Sequence, residues 1–401
     1  MTVTATQPVA SLRATATLIP IMGVVFVAFF VVGVAMPVLP LHVHEGLGLD
    51  TFVVGLVAGS QFAASLIFRP WAGHFSDRCG ARRGVIVGLI GAAVSGLFYL
   101  VSLGFTQAPL VSVSILLLGR ALLGAAESFI ITAAVSWGLA LADPSSTGKV
   151  IARVGSAMFA AFAIGAPAGS ALHAAYGFAA IALATVMAPL LTLLLVMPLP
   201  AVAPVHHARL SFGQVIASVW LPGFGSALGS VGFGAVTTFA ALLFAVHGWA
   251  YGWLAYTFYA VAFILARVLF SHLADAVGGA QVALVCAVIE AAGQALIWLA
   301  DRPEMALAGA ALTGFGFSLV YPGFGVEAVR RVPAQNRGLA MGAYTAFLDL
   351  AQGLASPALG VIAGGARLNM AFLASAMTVL GAALVAMWLM AHPTTSEGSP
   401  P

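Results

Sequence analysis

The chain has 401 residues, 62% of them hydrophobic and only 7% charged, with a mean hydropathy of +1.08. Soluble proteins carry about 25% charged residues, so no soluble surface can be built from this composition and the chain reads as a polytopic membrane protein. The net charge of +3 gives no indication of a nucleic-acid partner; what matters is where the charges sit.

A membrane-spanning helix needs about 20 apolar residues. Twelve such runs follow one another, at 16–41, 51–71, 84–104, 109–134, 150–173, 178–198, 214–245, 250–270, 281–300, 305–327, 338–363 and 368–391. Apolar runs continue to residue 391, which excludes a signal peptide ahead of a soluble domain. Met1–Pro20 has one Arg and leads into a run long enough to span, so no cleaved signal is expected. Six spans fill 15–198 and six fill 214–391. The stretch 199–213, with its prolines, His206, His207 and Arg209, reads as a cytoplasmic linker. The tails 1–14 and 392–401 are polar or rich in Pro and Ser and are expected to be disordered. Cys79 and Cys286 form no metal spacing and no disulfide framework.

An even number of spans puts both termini on one side. That side receives Arg13, Arg69, Arg78, Arg82, Arg83, Lys149, Arg153, Arg209, Arg267, Arg330, Arg331 and Arg337. The other receives Arg302 and Arg367, and Arg120 is left inside a span. The positive-inside rule then places both termini in the cytoplasm.

The densest charge lies at Arg69–Arg83, RPWAGHFSDRCGARR, which reads as a loop between the second and third spans. Arg267–Gly279, RVLFSHLADAVGG, echoes it. Arg69 to Asp77 and Arg267 to Asp275 are both eight residues; Asp77 to Gly80 and Asp275 to Gly278 are both three; His74 aligns with His272. The offset of 198 residues is about half the chain, the mark of a transporter built from two similar halves. Such loops can also serve only to orient the chain, but orientation does not account for two aspartates at matched spacing.

Gly73, Asp77, Arg78, Gly80, Arg82 and Arg83 form a stretch that resembles the signature loop between helices 2 and 3 of the major facilitator superfamily. The second copy is degenerate, with Ser271 where glycine is usual and no basic cluster after Gly278. The resemblance covers essentially the whole chain. It implies an all-α integral membrane fold of twelve helices in two pseudo-symmetric six-helix bundles. It also implies that Asp77 meets the N-terminal end of helix 11 near Gly338, and that Asp275 meets helix 5 near Lys149–Arg153. A carboxylate at a helix N-terminus is favourable by roughly 0.3–1 kcal/mol, so such contacts can close one side of a carrier and break when its halves rock.

Charges at bilayer depth are costly and are functional candidates by default. Arg120 and Glu127, seven residues apart in the fourth span, share one helix face about 10 Å apart. The stretch Leu118–Gly124 is similar to the fourth-helix motif of proton-linked superfamily members, where the arginine is implicated in proton transfer. A static pair that holds helices together is the other reading. Asp349 lies in the eleventh span and Glu290 in the ninth. The resemblance puts helices 1, 4, 7 and 10 around a central cavity with 2, 5, 8 and 11 beside them, which brings Arg120, Glu127 and Asp349 near substrate. Glu290, on a peripheral helix, is expected only to face the bundle and pair with a polar neighbour. Gln61, Tyr321, Tyr344 and Gln352 are further cavity candidates.

Gly165–Gly169 in the fifth span and Ala355–Gly360 in the eleventh carry Pro167 and Pro357, at an offset of 190. Proline kinks a helix and small residues let a neighbour approach. The fifth-helix stretch resembles a degenerate antiporter motif of exporters in the superfamily; helix packing alone is the alternative. The stretches SLVYPGFGVEAVRRVPAQNRG and AYTAFLDLAQG resemble most closely the bacterial branch described as arabinose-efflux-permease-like, the YhhS/YfcJ type.

The reading is an inner-membrane secondary transporter, a proton-coupled exporter of small organic solutes by alternating access, with proton-symport or facilitated import as the alternative. It is expected to act as a monomer, with the lipid bilayer, protons and a small-molecule substrate as partners and no cofactor or metal. An enzyme is disfavoured, because no span holds a His/Glu pair at ligand spacing and His42 and His44 are expected at an exposed helix end. An ATP-driven pump is disfavoured because there is no Gly-Lys-Ser/Thr phosphate loop. A receptor would carry a sizeable soluble output domain, which this sequence does not show.

Overall fold

The computed structural model describes residues 7–141, 147–199, 212–332, 337–364 and 367–392. Twelve long helices follow in the expected order. They are α1 Gln7–Ala35, α2 Thr51–Cys79, α3 Ala81–Leu103, α4 Pro109–Leu141, α5 Thr147–Tyr176, α6 Phe178–Val196, α7 Phe212–Val246, α8 Leu254–Phe270, α9 Gly279–Trp298, α10 Pro303–Arg330, α11 Arg337–Ile362 and α12 Met370–Ala391. Lipid offers no hydrogen-bond partners, so a spanning segment must satisfy its backbone internally, and helices do so. Eleven of the helices are long and apolar enough to span, and α8, with 17 residues, is the shorter twelfth.

The chain divides into two compact units. The first holds 1–48 and 60–207; the second holds 49–59 and 208–401, so the opening turns of α2 are grouped with the second unit. Inside the first, Gly33 and Val34 of α1 lie against Gly165 and Gly169 of α5, on either side of Pro167. Inside the second, the Thr51 hydroxyl donates to the Gly360 carbonyl at 2.7 Å, and Gly59 meets the Pro357 ring. Both proline stretches therefore sit where small residues bring two backbones close. The core of the second unit is built around Val219, Ala283, Val320, Phe324, Tyr344 and Ala382. Leu191, Leu194 and Leu195 on α6, Val268 on α8 and Leu384 on α12 point outward, where lipid would cover them.

Several expectations need correction. The stretch Arg69–Cys79 is not a loop: α2 runs unbroken to Cys79, through Pro70, Gly73, Asp77 and Arg78. The break is one residue, Gly80, at φ 89°, and α3 starts at Ala81. In the second copy α8 ends at Phe270, a short helical turn covers Leu273–Ala276, and Gly278 at φ 123° precedes α9. Both matched glycines hold a backbone that side chains strain to adopt. The tail 1–14, expected to be disordered, is helical from Gln7 onward. His42 is half-buried and not at an exposed end: its ring stacks on Phe178 with centroids 3.9 Å apart. Most of the linker 199–213, most of the tail 392–401 and the side chains of Lys149, Arg153, Asp275 and Gly338 lie outside the described residues.

Candidate functional site

In the first unit α2 crosses α4 at Gly124, where a methyl group would overlap the Gln61 carbonyl oxygen. This closeness brings the Gln61 amide nitrogen to 2.6 Å from Glu127 Oε2. One turn further along α2, the Ser65 and Ser128 hydroxyls are 2.9 Å apart, and Ser128 also donates to the Ser65 carbonyl at 2.6 Å. Gln61 is 1% exposed, and its Oε1 has no partner among the described residues. Glu127 is half-buried. Arg120 is 5% exposed; its Nη1 reaches the Tyr99 hydroxyl on α3 at 3.5 Å, and its Nε has no hydrogen-bond partner among the described residues. Arg120 and Glu127 thus lie on one helix face, yet each takes its own neighbour. An arginine at this depth remains charged and presents a planar donor fork.

In the second unit the Tyr344 hydroxyl donates to the Tyr321 carbonyl at 2.6 Å, and the two rings lie 5.1 Å apart. The Tyr321 hydroxyl meets Thr345 Oγ1 at 3.0 Å. Asp349 and Gln352, three residues apart on α11, are both buried, and Gln352 Oε1 has no partner among the described residues. Arg267 does not belong to a loop. It lies within α8, donates to the Ser318 carbonyl at 3.0 Å and sits 4.8 Å over the Phe263 ring. Tyr321, Tyr259 and Tyr344 lie within electrostatic reach of it.

At the charged turn of the first unit, Arg82 Nη2 donates to the Met197 carbonyl at the end of α6. That contact ties the α2–α3 corner to its own bundle. Arg78 closes the last turn of α2, where a cation complements the helix dipole. Among the described residues no three His, Cys, Asp or Glu side chains converge as a metal site.

Reasoning from sequence picked Gln61, Arg120 and Glu127, and the structure brings Gln61 to Glu127. It missed Tyr99, Ser65, Ser128, Ser318 and Thr345. The half-chain offsets contain part of that information. Adding 198 to Gln61 and Ser65 gives Tyr259 and Phe263, and adding 190 to Gly124 and Ser128 gives Gly314 and Ser318. A methyl on Gly314 would overlap the Tyr259 carbonyl oxygen, and Ser318 donates to the Phe263 carbonyl at 2.8 Å, so the second crossing repeats the first.

Two helical units with the same internal crossing, each carrying polar side chains in an apolar bundle, define a membrane carrier of the two-bundle class. Known proteins agree. The chain belongs to the Major Facilitator Superfamily, whose family description matches residues 21–255 and 224–401. It is 40% identical to an uncharacterized MFS-type transporter of Pseudomonas aeruginosa over 383 residues, 96% of this chain and 95% of that one. It is 40% identical to another from Salmonella typhimurium over 377 residues, 94% of this chain and 97% of that one. Among solved structures, the xylose transporter XylE from E. coli in an inward open conformation matches with a TM-score of 0.77 at 15% identity, covering 96% of this chain and 97% of that one. The nucleoside transporter NupG matches with a TM-score of 0.75 at 13% identity, covering 93% and 99%. At such identities these two likenesses concern the fold. Membrane transport is the function of the family.

Proposed function

We propose that the protein is a proton-coupled exporter of small organic solutes, sugar-like or drug-like, working by alternating access in the bacterial inner membrane. In this reading it is a monomer with both termini in the cytoplasm. The observation that carries the reading is the Gln61–Glu127 contact, a carboxyl held at 2.6 Å by an amide inside an apolar bundle, with Arg120 two turns away on the same helix. Glu127 takes up and releases the coupled proton. Arg120 supplies a fixed positive charge on that face, which a deprotonated carboxyl or an anionic group of the solute can meet. Asp349 and Gln352 offer a second carboxyl and amide in the other unit, and Tyr321 and Tyr344 offer aromatic faces for a solute ring.

Arg69, Gly73, Asp77, Arg78, Gly80, Arg82 and Arg83, with Arg267, Asp275 and Gly278 as the second set, serve as the gating elements. Pro167 and Pro357 give α5 and α11 their bends. Export is favoured over import by the Gly165–Gly169 stretch and by the resemblance to the efflux-permease branch.

The test is proton release from purified protein in detergent on adding ethidium, D-xylose or uridine, compared among wild type, Glu127→Gln and Asp349→Asn. Release with one compound, abolished by one substitution, supports antiport through that carboxyl. Binding of a compound with no proton release in any variant overturns proton coupling.

A further inference from the structure

The second unit holds a group of oxygens that this reading does not use. Glu290 lies near the middle of the 20-residue α9 and is 0% exposed. Neither of its carboxyl oxygens has a hydrogen-bond partner among the described residues. One turn further, Gln294 is equally buried. Its amide nitrogen donates to the Gly232 carbonyl and to Thr313 Oγ1, both at 3.2 Å, and its Oε1 has no donor among the described residues. The buried Tyr259 hydroxyl on α8 also has no hydrogen-bond partner among the described residues and lies within electrostatic reach of Glu290. Two glycines make the room. A methyl on Gly232 would overlap Glu290 Oε1, and one on Gly316 would lie 2.7 Å from Glu290 Cβ.

The repeat shows that packing does not require this acid. Subtracting 198 from Glu290, Gln294 and Tyr259 gives Ala92, Gly96 and Gln61, and subtracting 190 from Thr313 and Gly316 gives Leu123 and Ala126. The first unit fills the position of Glu290 with Ala92, 1% exposed. Burying a carboxyl without a partner costs several kcal/mol unless something compensates it. A unit that needed only to pack would carry alanine here as well.

The chemistry of these unsatisfied atoms identifies what fits them. The amide N–H groups are already taken, and the unsatisfied atoms are the two carboxyl oxygens, one amide oxygen and a hydroxyl. An anion would meet only oxygen, whereas a small hard cation is satisfied by such a set. We propose that Glu290, Gln294 and Tyr259 form a binding site for one small monovalent cation, a proton or Na+, in the core of the second unit. A proton would sit on a Glu290 oxygen. Na+ would be held between the carboxylate, the Gln294 carbonyl oxygen and the Tyr259 hydroxyl.

The titratable groups within electrostatic reach of Glu290 are Tyr259 on α8 and Cys286 on α9 itself, and Glu290 acts on both. Arg267, further along α8, is engaged by the Ser318 carbonyl. From α10 come Thr313 and Gly316, and α7 and α12 contain no Asp, Glu, Lys or Arg. The site does not depend on the transported solute or on the direction of transport.

The test uses the full chain in lipid nanodiscs without any solute. Infrared difference spectra follow the stretching band of protonated carboxyls as pH is raised, and as NaCl replaces choline chloride; binding of radioactive Na+ is measured in parallel. For a proton site, the wild type loses a carboxyl band as pH rises, Na+ has no effect, and one component of that band is missing in Glu290→Gln but present in the double variant Glu127→Gln/Asp349→Asn. For a sodium site, the band is lost on adding Na+, and bound radioactive Na+ disappears in Glu290→Gln. Tyr259→Phe, which removes one oxygen and keeps the ring, weakens Na+ binding or moves the titration midpoint by about tenfold. A wild-type protein with no carboxyl band responding to pH or Na+ and no bound Na+ overturns the proposal, with no need for a variant to fold. A response as large in Glu290→Gln as in the wild type also overturns it. If wild-type protein shows the Glu290 response but releases no proton on adding any of the three solutes, proton coupling through Glu127 and Asp349 fails while the Glu290 site stands.

Discussion

The two units share a skeleton and differ in what it encloses. In each, a glycine on the fourth or tenth helix takes a carbonyl of the second or eighth against its bare Cα, at Gly124 and Gln61 or at Gly314 and Tyr259. In each, a serine one turn on closes the crossing with a hydrogen bond to the facing backbone, Ser128 to Ser65 or Ser318 to Phe263. The residues between these fixed points diverge. The first unit carries its intramembrane charges on α4, as Arg120 and Glu127, and keeps α3 apolar at Ala92. The second has Ala310 and Phe317 at the positions of Arg120 and Glu127, and puts buried acids on α9, as Glu290, and on α11, as Asp349. Contacts that involve the backbone are thus repeated, while those of side-chain tips have been free to change. A carrier with two such halves can assign solute and cation to different bundles without altering how either bundle is held.

Substitutions at the fixed points probe that comparison most strongly. Gly124→Leu and Gly314→Leu should each be severe, because the new side chain must displace backbone rather than a flexible tip. Overpacking of this kind costs about 1–3 kcal/mol or more. Thermal unfolding in detergent should show both variants strongly destabilised. Tolerance of one and not the other would mean that the crossings are not equivalent.

Gly80→Ala and Gly278→Ala come next, at about 1–3 kcal/mol for a residue with a Cβ held at positive φ and extended ψ. Gly278→Ala carries a further cost, since its methyl would also meet the Gln281 side chain. Tyr344→Phe removes a 2.6 Å bond to the Tyr321 carbonyl and should cost about 1 kcal/mol, read as a lower unfolding midpoint. The smallest effects are expected for Ser128→Ala and Ser318→Ala, about 0.6 kcal/mol each, as for other interhelical hydrogen bonds in membranes. If the two serine effects differ widely, the matched hydrogen bonds are alike in geometry only.

Much of this was legible beforehand. Gly80 and Gly278 announced themselves by their matched spacing after an aspartate, and both hold positive φ. The helical course of Arg69–Cys79 was not legible, because a cluster of charge, glycine and proline reads as a turn. A helix end that leaves the apolar layer can carry all of these residues, and nothing before Gly80 forces the chain to stop. Arg267 was misread for the same reason. Its charge suggested the surface, but its guanidinium finds the Ser318 carbonyl and the Phe263 ring inside the bundle.

The sequence by itself determined the class of the protein. Length and hydropathy count the spans, since every apolar run of about 20 residues must cross as a helix in a solvent without hydrogen-bond partners. The half-chain offset then shows that one bundle was built twice. Only the tertiary structure decided partners. It gave Glu127 to Gln61 and Arg120 to Tyr99, and left Glu290 with none among the described residues. Periodicity places a residue on a face of its own helix, but the helix across from that face is chosen by where two backbones can approach, and that depends on glycines and serines far apart in the chain.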